Sequence, residues 1–383
     1  MALHFERPEY AARMERLQES MRERKLDAVL LFAQESMYWL TGYDTFGFCF
    51  FQSLVVKADG SMVLLTRSAD LRQARHTSII DNIVIWTDRA EANPAFDLRN
   101  LLSDLGLLGM KIGVEYQTHG LTAANGKRLD EQINTFAAIS DFSGIIDGLR
   151  AIKSPAELEK VRKAAELGDA ALERAMPLIK AGADEGYILA AMHAAIFEGG
   201  GDYPANEFII GSGPDALLCR YKAGRRKLDP QDQLTLEWAG VFHHYHAALM
   251  RTAVIGSPLP RHMELQAAAH EALLAVEAAM APGKTFGEVF QAHADVMDRH
   301  NMTRHRLNAC GYSLGARFTP SWMDMPMFHA NNPATVQPGM VLFAHMIIMD
   351  SDTNTAICLG RTSLIGADKA EPLSRLPLDL IVR

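Results

Sequence analysis

The stretch that decides the fold is "GLRAIKSPAELEKVRKAAEL", residues 148–167. Within it, Ser154 precedes Pro155 and Glu157. This order is typical of a helix start: the serine hydroxyl accepts a backbone N–H of the first turn, a proline there leaves no N–H unpaired, and the glutamate reaches back to the serine backbone. The apolar residues that follow recur at helical spacing, so a long amphipathic helix is predicted from Pro155 onward.

The same stretch marks a change in the pattern of the chain. Residues 1–150 alternate helix and strand signals, including a predicted hairpin at Asp59-Gly60, where glycine tolerates the positive φ of a tight turn. Residues 151–383 are Ala-rich and helical in two segments and strand-rich in two others. These patterns predict an α/β N-terminal domain, 1–150, and an α+β C-terminal domain, 151–383.

The composition argues against several classes of protein. The chain has 383 residues, 48% hydrophobic and 22% charged, with a formal net charge of −8, which is typical of a globular protein without a nucleic-acid partner. No apolar run is long enough to span a bilayer, and the N-terminal residues have no apolar signal core. Four scattered cysteines without a CxxC pair favour reduced thiols. We therefore expect a cytoplasmic protein without a membrane or nucleic-acid partner.

Six segments, in order along the chain, resemble the pita-bread family of creatinase, aminopeptidase P, prolidase and methionine aminopeptidase. They are "IKSPAELEKVRKA" (152–164), "GSGPDALLCRY" (211–221), "LDPQDQLTLEWAG" (228–240), "APGKTFGEVFQ" (281–291), "GYSLGARF" (311–318) and "QPGMVLFAHM" (337–346). The resemblance covers nearly the whole chain. It implies a creatinase-type N-terminal domain followed by a pita-bread catalytic domain.

Most members of this family hold two divalent metal ions with two aspartates, a histidine and two glutamates. Carried over position by position, the resemblance places these ligands at Glu237, Ala248, Tyr312, His345 and, on or near it, Gly360. Only Glu237 keeps a carboxylate. Two adjacent ions need several carboxylates to neutralise and bridge them. The resemblance therefore implies that the metal pair is lost, and we expect neither a metal nor another cofactor.

The stretch "LTLEWAGVFHHYHAALMRT" (234–252) carries three candidate histidines, His243, His244 and His246. Because side chains alternate along a strand, His244 and His246 are predicted to share the pocket face of Ala248, and His243 to point away. A β-bulge in the strand would overturn this assignment.

Two alternatives for these histidines stay open. In one, the His244-x-His246 pair joins Glu237 and His345 in a rebuilt site for a single metal ion. In the other, the histidines make hydrogen bonds within the sheet and have no chemical role. Neither alternative is excluded by the residues alone.

Glu237 is the candidate general base. Its apolar neighbours predict a buried carboxylate with a partner. Burial raises the pKa of such a group and a cationic neighbour lowers it, so the group can act as a base near neutral pH. The resemblance places Arg220, at the position of the family's catalytic histidine, close enough to be that neighbour.

The remaining candidate residues are assigned around this base. His246 is predicted to pass a proton to the leaving nitrogen. Arg220, helped by Arg361 beside the lost glutamate, is predicted to hold a substrate carboxylate. Tyr312 or His345 is predicted to stabilise the developing oxyanion.

The segment "SWMDMPMF" (321–328) occupies the place where the family has a second histidine that contacts the substrate. Trp322 is predicted there as an apolar wall of the pocket. Asp324 is predicted as a partner for a cation on the substrate.

The segment "GYDTFGFCFFQS" (42–53) is predicted to be strand-like and contains four phenylalanines. In two-domain members that dimerise, the matching segment reaches the active site of the partner subunit. The resemblance therefore implies a homodimer in which Tyr43, Phe46 and Phe48 close the partner's pocket. Core packing within the N-terminal domain is the alternative.

The family includes the metal-free enzyme creatinase and the related ectoine hydrolase, whose strand glutamate followed by a Tyr-His pair is similar to Glu237 with Tyr245-His246. The sequence departs from creatinase at two positions, since its general-base histidine is Arg220 here and a nearby glutamate is Met250. We expect a metal-independent hydrolase of a C–N bond in a small nitrogenous carboxylate. The alternatives are an Xaa-Pro-type dipeptidase with a rebuilt single-metal site, and a non-catalytic relative that binds a metabolite.

Overall fold

The computed structural model describes residues 3–220 and 226–383. The chain forms two compact units that divide between Arg150 and Ala151. The first combines helices with a mixed sheet and the second combines helices with a large antiparallel sheet, so the predicted fold class is confirmed. Among the described residues, no helix is both long enough and apolar enough to cross a membrane.

The first unit is built on a sheet of six described strands. The strands are β1 (Ala28–Leu31), β2 (Ser53–Lys57), β3 (Met62–Arg67), β4 (Ile83–Trp86), β5 (Lys111–Val114) and β6 (Ala138–Asp141). The helices are α1 (Arg7–Arg24), α2 (Gln34–Thr41), α3 (Leu71–Thr77), α4 (Pro94–Asp104), α5 (Ala123–Ile133) and α6 (Ile145–Ala151). The strand order is β4-β3-β2-β1-β5-β6. The hairpin predicted at Asp59-Gly60 joins β2 to β3, and Gly60 has a φ of 84°.

The second unit is built on a sheet of nine described strands. These are β7 (Ile209–Ser212), β8 (Asp232–Phe242), β9 (Tyr245–Ile255), β10 (Ala309–Ser313), β11 (Asp324–His329), β12 (Val341–Asp350), β13 (Thr355–Ile365), β14 (Ala370–Pro372) and β15 (Ile381–Val382). The helices are α7 (Pro155–Ala175), α8 (Glu185–Glu198), α9 (Pro260–Ala279) and α10 (Phe286–Arg299). Along the main path the order is β11-β10-β12-β13-β9-β8-β7, and all neighbours on it are antiparallel.

Helix α7 begins as the sequence predicts. The Ser154 hydroxyl accepts the Glu157 N–H at 3.2 Å, and the Glu157 carboxylate accepts the Ser154 N–H at 2.9 Å. Glu157 also accepts a hydrogen bond from the Tyr245 hydroxyl at 2.7 Å. The capping pair therefore also fixes the start of α7 against β9.

The backbone of α7 packs against the backbone of β8 at Gly240, which has no side chain to hold the two apart. A Cβ atom at Gly240 would lie 1.8 Å from the Ala164 carbonyl oxygen and 2.3 Å from the Gly168 nitrogen. Two residues earlier on the same face, the Trp238 indole N–H donates to the Gly168 carbonyl at 2.8 Å. Helix α7 thus covers the face of β8 that carries Trp238 and leaves the face of Glu237 for the site.

Gly240→Ala is expected to destabilise the second unit by about 3 kcal/mol, because the new methyl group would have to push α7 off the sheet. Denaturant unfolding followed by circular dichroism measures the change. The control is Gly126→Ala in α5, where a Cβ meets nothing within 4 Å; that variant should be neutral or slightly more stable. An unchanged unfolding midpoint for Gly240→Ala would contradict the close packing.

Candidate active site

The candidate site lies on the face of the second sheet that α7 does not cover. The strand register places Glu237 opposite Met250, Met250 opposite Gly360, and Gly360 opposite His345. Residues paired across antiparallel strands point to the same face, so these four positions form one row across β8, β9, β13 and β12. Tyr312, on the neighbouring strand β10, belongs to the same face.

A cleft open to solvent lies over this row. Five residues predicted from the sequence line it: Arg220, Glu237, Tyr312, Trp322 and His345. Its other lining residues are Asn206, Ile209, Cys219, Met250, Leu307, Ala309, Met323, Met327 and Ile347. The structure therefore gathers a small set of polar groups within mostly apolar walls.

Glu237 is, among the described residues, the one carboxylate that lines this cleft. Burial raises the pKa of Glu237 to about 7, while the positive charge of Arg220 and a hydrogen bond from Tyr312 limit the rise. Both protonation states of the carboxyl group are therefore present near neutral pH. This is the property that a general base for water requires.

The Tyr312 hydroxyl connects Trp322 to Glu237. It accepts the Trp322 indole N–H at 2.9 Å and donates to the Glu237 carboxylate. Burial, followed by the charge of Glu237, raises the pKa of Tyr312 well above its ordinary value, so the hydroxyl keeps its proton. The hydrogen bonds therefore run in one direction, and they stabilise the ionised form of Glu237.

His345 lies at the other end of the row. Burial, followed by the nearby His293, lowers the pKa of His345 to about 3, so its ring is neutral at physiological pH. The Nδ1 atom of His345 is buried and has no hydrogen-bond partner among the described residues. A buried ring nitrogen without a partner at the edge of a cleft is suited to binding a ligand.

Comparison with known proteins assigns the family. A model of metallopeptidase family M24 matches residues 159–366, more than half of the chain, and a model of the creatinase/prolidase N-terminal domain matches residues 13–152. The chain belongs to metallopeptidase family M24. As a member of M24 it is a hydrolase that acts on C–N bonds.

Relatives of this M24 protein match along nearly their whole length. Ectoine hydrolase from Halomonas elongata is 26% identical and covers 100% of this chain and 99% of its own. Xaa-Pro dipeptidase from Pyrococcus furiosus is 22% identical, and the match covers 86% of this chain and 90% of the dipeptidase. Among solved structures, a prolidase from Thermococcus sibiricus has a TM-score of 0.88 at 18% identity, over 98% of this chain and 99% of its own. A dipeptidase from Mycobacterium ulcerans has a TM-score of 0.86 at 21% identity, over 99% of each. The predicted pita-bread fold is confirmed.

The side chains of this M24 protein do not fit the metal pair that the family implies. Within residues 3–220 and 226–383, no three His, Cys, Asp or Glu side chains converge on a point where they could hold an ion. The position of the last family glutamate is also filled: a Cβ atom at Gly360 would lie 2.8 Å from the Ala344 carbonyl oxygen and 3.0 Å from the ring of Phe343. A donor set of one glutamate, one tyrosine and one histidine cannot neutralise two divalent ions.

Arg361 does not belong to the cleft, contrary to the prediction. It pairs with Leu249 and Ala344 in the register, one residue from the row of Gly360, and therefore points to the helix-covered face. There its guanidinium makes two bonds of 2.6 Å to Glu277 of α9. Arg361 is thus engaged in a structural ion pair and is not an anchor for substrate.

The prediction that His244 shares a strand face with His246 was wrong. Phe242 pairs with Tyr245, so His243 and His244 form the two-residue turn between β8 and β9, with φ values of 49° and 64°. The His244 ring stacks on Phe318, with centroids 4.2 Å apart. His244 therefore does not line the cleft.

His246 lies on the same face as Glu237 but behind Trp322, with ring centroids 6.1 Å apart. It is fully buried, its Nε2 accepts the Ala205 N–H at 2.9 Å, and it is not part of the cleft lining. Burial, followed by His244, lowers the pKa of His246 to about 3. The predicted proton relay through His246, and the rebuilt metal site that used it, are both at odds with this position.

Asp324 does not line the cleft either. Its buried carboxylate lies 3.5 Å from the guanidinium of Arg317 and accepts the Met325 N–H at 3.0 Å. The predicted role as partner for a substrate cation is therefore not supported.

The segment 42–53 of the first unit was predicted to be strand-like, and this prediction was wrong. The segment contains a short 3-10 turn, Gly47–Cys49, and strand β2 begins only at Ser53. Tyr43 is fully buried, and its hydroxyl donates to Gln52 at 3.1 Å, while Phe48 is also buried. Phe46 is 78% exposed. Of the three predicted partner-contacting residues, only Phe46 presents its ring to solvent, and the homodimer stays a prediction.

The cleft also contains residues that sequence reasoning missed. Asn206 lines it and accepts the Trp322 backbone N–H at 3.0 Å. Met250, Met323 and Met327 line it as well. The density of methionine in the segment around Trp322 was the one available signal for this apolar wall.

Proposed function

We propose that this M24 hydrolase cleaves a C–N bond in a small nitrogenous carboxylate without a metal ion, with Glu237 as general base. The observation that carries the proposal is the state of Glu237: its pKa is raised to about 7 in a cleft where it has one cationic and one hydroxyl neighbour. No second carboxylate lines the cleft among the described residues. In this proposal Glu237 is the general base, and a different residue, Arg220, binds the substrate.

The reaction follows from these groups. Ionised Glu237 takes a proton from a water molecule, and the oxygen of that water attacks the carbon of the C–N bond. Arg220 binds the substrate carboxylate through paired N–H donors and fixes the distance between that carbon and Glu237. Protonated Glu237 then returns the proton to the leaving nitrogen.

Two groups can stabilise the negative charge that develops on the substrate oxygen during attack by water. The neutral ring of His345 carries one N–H and lies in the cleft lining. Tyr312 donates to Glu237 while the carboxylate is ionised, and its hydroxyl becomes available to the substrate once Glu237 is protonated. Donors already oriented in an apolar cleft can stabilise an oxyanion without a metal ion.

The relatives support the same class of reaction. The match to ectoine hydrolase extends over the whole chain, and the match to Xaa-Pro dipeptidase is shorter and less similar. The dipeptidase alternative required His244 and His246 as metal ligands beside Glu237 and His345. Since those two histidines lie in a turn and behind Trp322, this alternative is disfavoured.

Protein purified without chelator is expected to contain far less than one Mn, Zn, Fe or Co ion per chain, because no described cluster of three donors exists to hold one. Elemental analysis by mass spectrometry measures this. Hydrolysis of ectoine, creatine and X-Pro dipeptides should be screened in parallel, and EDTA should leave any activity unchanged. One tightly bound ion per chain, lost together with activity in EDTA, would overturn the metal-free mechanism.

A further inference from the structure

The lining of the cleft has few charged side chains and a large share of apolar ones. Among the described residues that line it, Arg220 is the one cation and Glu237 the one carboxylate. Beside them stand the side chains of Met250, Met323 and Met327. Methionine is unbranched and flexible, so a wall of methionines adapts to chains of different shape. A substrate that filled the cleft with polar groups alone would leave this wall without a partner.

Building on the proposed function, we propose that the substrate is an N-acylated amino acid with an apolar acyl chain. The amino-acid carboxylate binds Arg220, and the acyl chain lies along the methionines. The amide between them then lies over Glu237, with its carbonyl oxygen toward the neutral ring of His345. The substrate thus has one negative charge for Arg220, one amide for Glu237 and His345, and one apolar chain for the methionines.

The charges that line the cleft also disfavour a close relative of this substrate, a free dipeptide. A free dipeptide carries an α-ammonium group beside the scissile amide. Among the described residues that line the cleft, Glu237 is the one carboxylate that could pair with this ammonium group, and Glu237 must instead abstract a proton from water. An ammonium group that gives up part of its hydration to mostly apolar walls, without a carboxylate of its own, is disfavoured. Acylation replaces that charge by neutral surface.

The reaction is a balanced hydrolysis of the amide. Glu237 takes one proton from water, and the oxygen forms a bond to the carbonyl carbon. The C–N bond breaks with its electron pair going to nitrogen, and nitrogen takes the proton from Glu237. The products are a fatty or branched carboxylic acid and a free amino acid, which exchange one further proton with solvent and leave as carboxylate and ammonium.

A matched pair of compounds tests the charge argument. Leucylglycine and 4-methylpentanoylglycine differ only in the α-ammonium group, and both release glycine on hydrolysis. For the wild-type enzyme, we expect kcat/KM to be about tenfold or more higher for 4-methylpentanoylglycine. A higher kcat/KM for leucylglycine, or equal values, would overturn the proposal.

A series of acyl chains tests the apolar wall. Binding of acetyl-, butyryl- and hexanoylglycine to the Glu237→Gln variant is measured by titration calorimetry. Each two added carbons should tighten binding by about 15-fold until the chain fills the cleft. Met327→Gln should reduce this gain, whereas the control Met263→Gln, at a 53% exposed position on α9, should not. Affinity that is independent of chain length would contradict the proposal.

The two proposals fail in different ways. If the wild-type enzyme hydrolyses neither acylglycines nor leucylglycine but cleaves ectoine or creatine, the substrate class is wrong and the general-base mechanism stands. If it cleaves no C–N bond in either set, the proposed function is wrong as well. The assays on wild type do not depend on the folding of any variant.

Discussion

Replacing Glu237 with glutamine is expected to lower kcat by about a thousandfold, since general-base catalysis typically contributes 10²–10⁴-fold. Glutamine keeps the shape of the side chain and can still accept the Tyr312 hydroxyl, but it cannot take a proton from water. Binding of substrate should therefore change little. Steady-state rates on the best substrate, together with calorimetric binding, measure the two quantities separately.

The pH profile is the control for this variant. The base works in its ionised form, and its pKa is about 7, so kcat/KM of the wild type should rise as the pH increases through 7 and level off above it. The residual activity of the Glu237→Gln variant should lack that rise. A variant with near wild-type rates, or with the same rise, would show that another group is the base.

Arg220→Ala is expected to lower kcat/KM by a factor that corresponds to about 1–3 kcal/mol, because the side chain is exposed in the free protein and would make charge-assisted hydrogen bonds to the substrate carboxylate. The loss should be largest for substrates with a carboxylate and small for their amides. The variant should also raise the pKa of Glu237 further, because Arg220 is the first factor that limits its rise. The limb of the pH profile should then move to higher pH.

The matched control is Arg304→Ala, which removes an arginine whose side chain is 75% exposed and pairs with Asp352 on the surface. Its kcat/KM should stay within about twofold of the wild type, as is usual for exposed ion pairs. An Arg220→Ala variant that discriminates equally between acids and amides would show that the arginine does not bind the carboxylate.

The sequence predicted Glu237, Tyr312 and His345 as pocket residues because the resemblance places all three at ligand positions of the family. Alternation of side chains along a strand was used only for the histidines. That alternation gave the right face for His246 and failed for His244. A two-residue hairpin turn needs positive φ, which Asn and Gly usually supply, and the sequence offers only His243 and His244 there. Histidine adopts positive φ more readily than most residues, so the turn forms without a recognisable signal.

Arg361 shows a second limit of sequence reasoning. It lies one residue from Gly360, and a shift of one residue along a strand reverses the face to which a side chain points. Its partner Glu277 is 84 positions away in the chain, on a helix whose packing no local pattern reveals. The prediction for His246 was wrong for a related reason. His246 lies on the predicted face of the strand, but Trp322, which belongs to a loop distant in sequence, lies against it and lines the cleft in its place.

The ring of Phe343 fills the space in which a side chain at position 360 would lie. A glutamate introduced at position 360 alone would force its Cβ against that ring and the adjacent backbone, an overpacking that typically costs about 1–3 kcal/mol. Shrinking Phe343 first would instead open a void in a fully buried place, at about 3–5 kcal/mol for a change to alanine. Either order of single mutations passes through a less stable protein, so packing alone opposes a carboxylate at position 360.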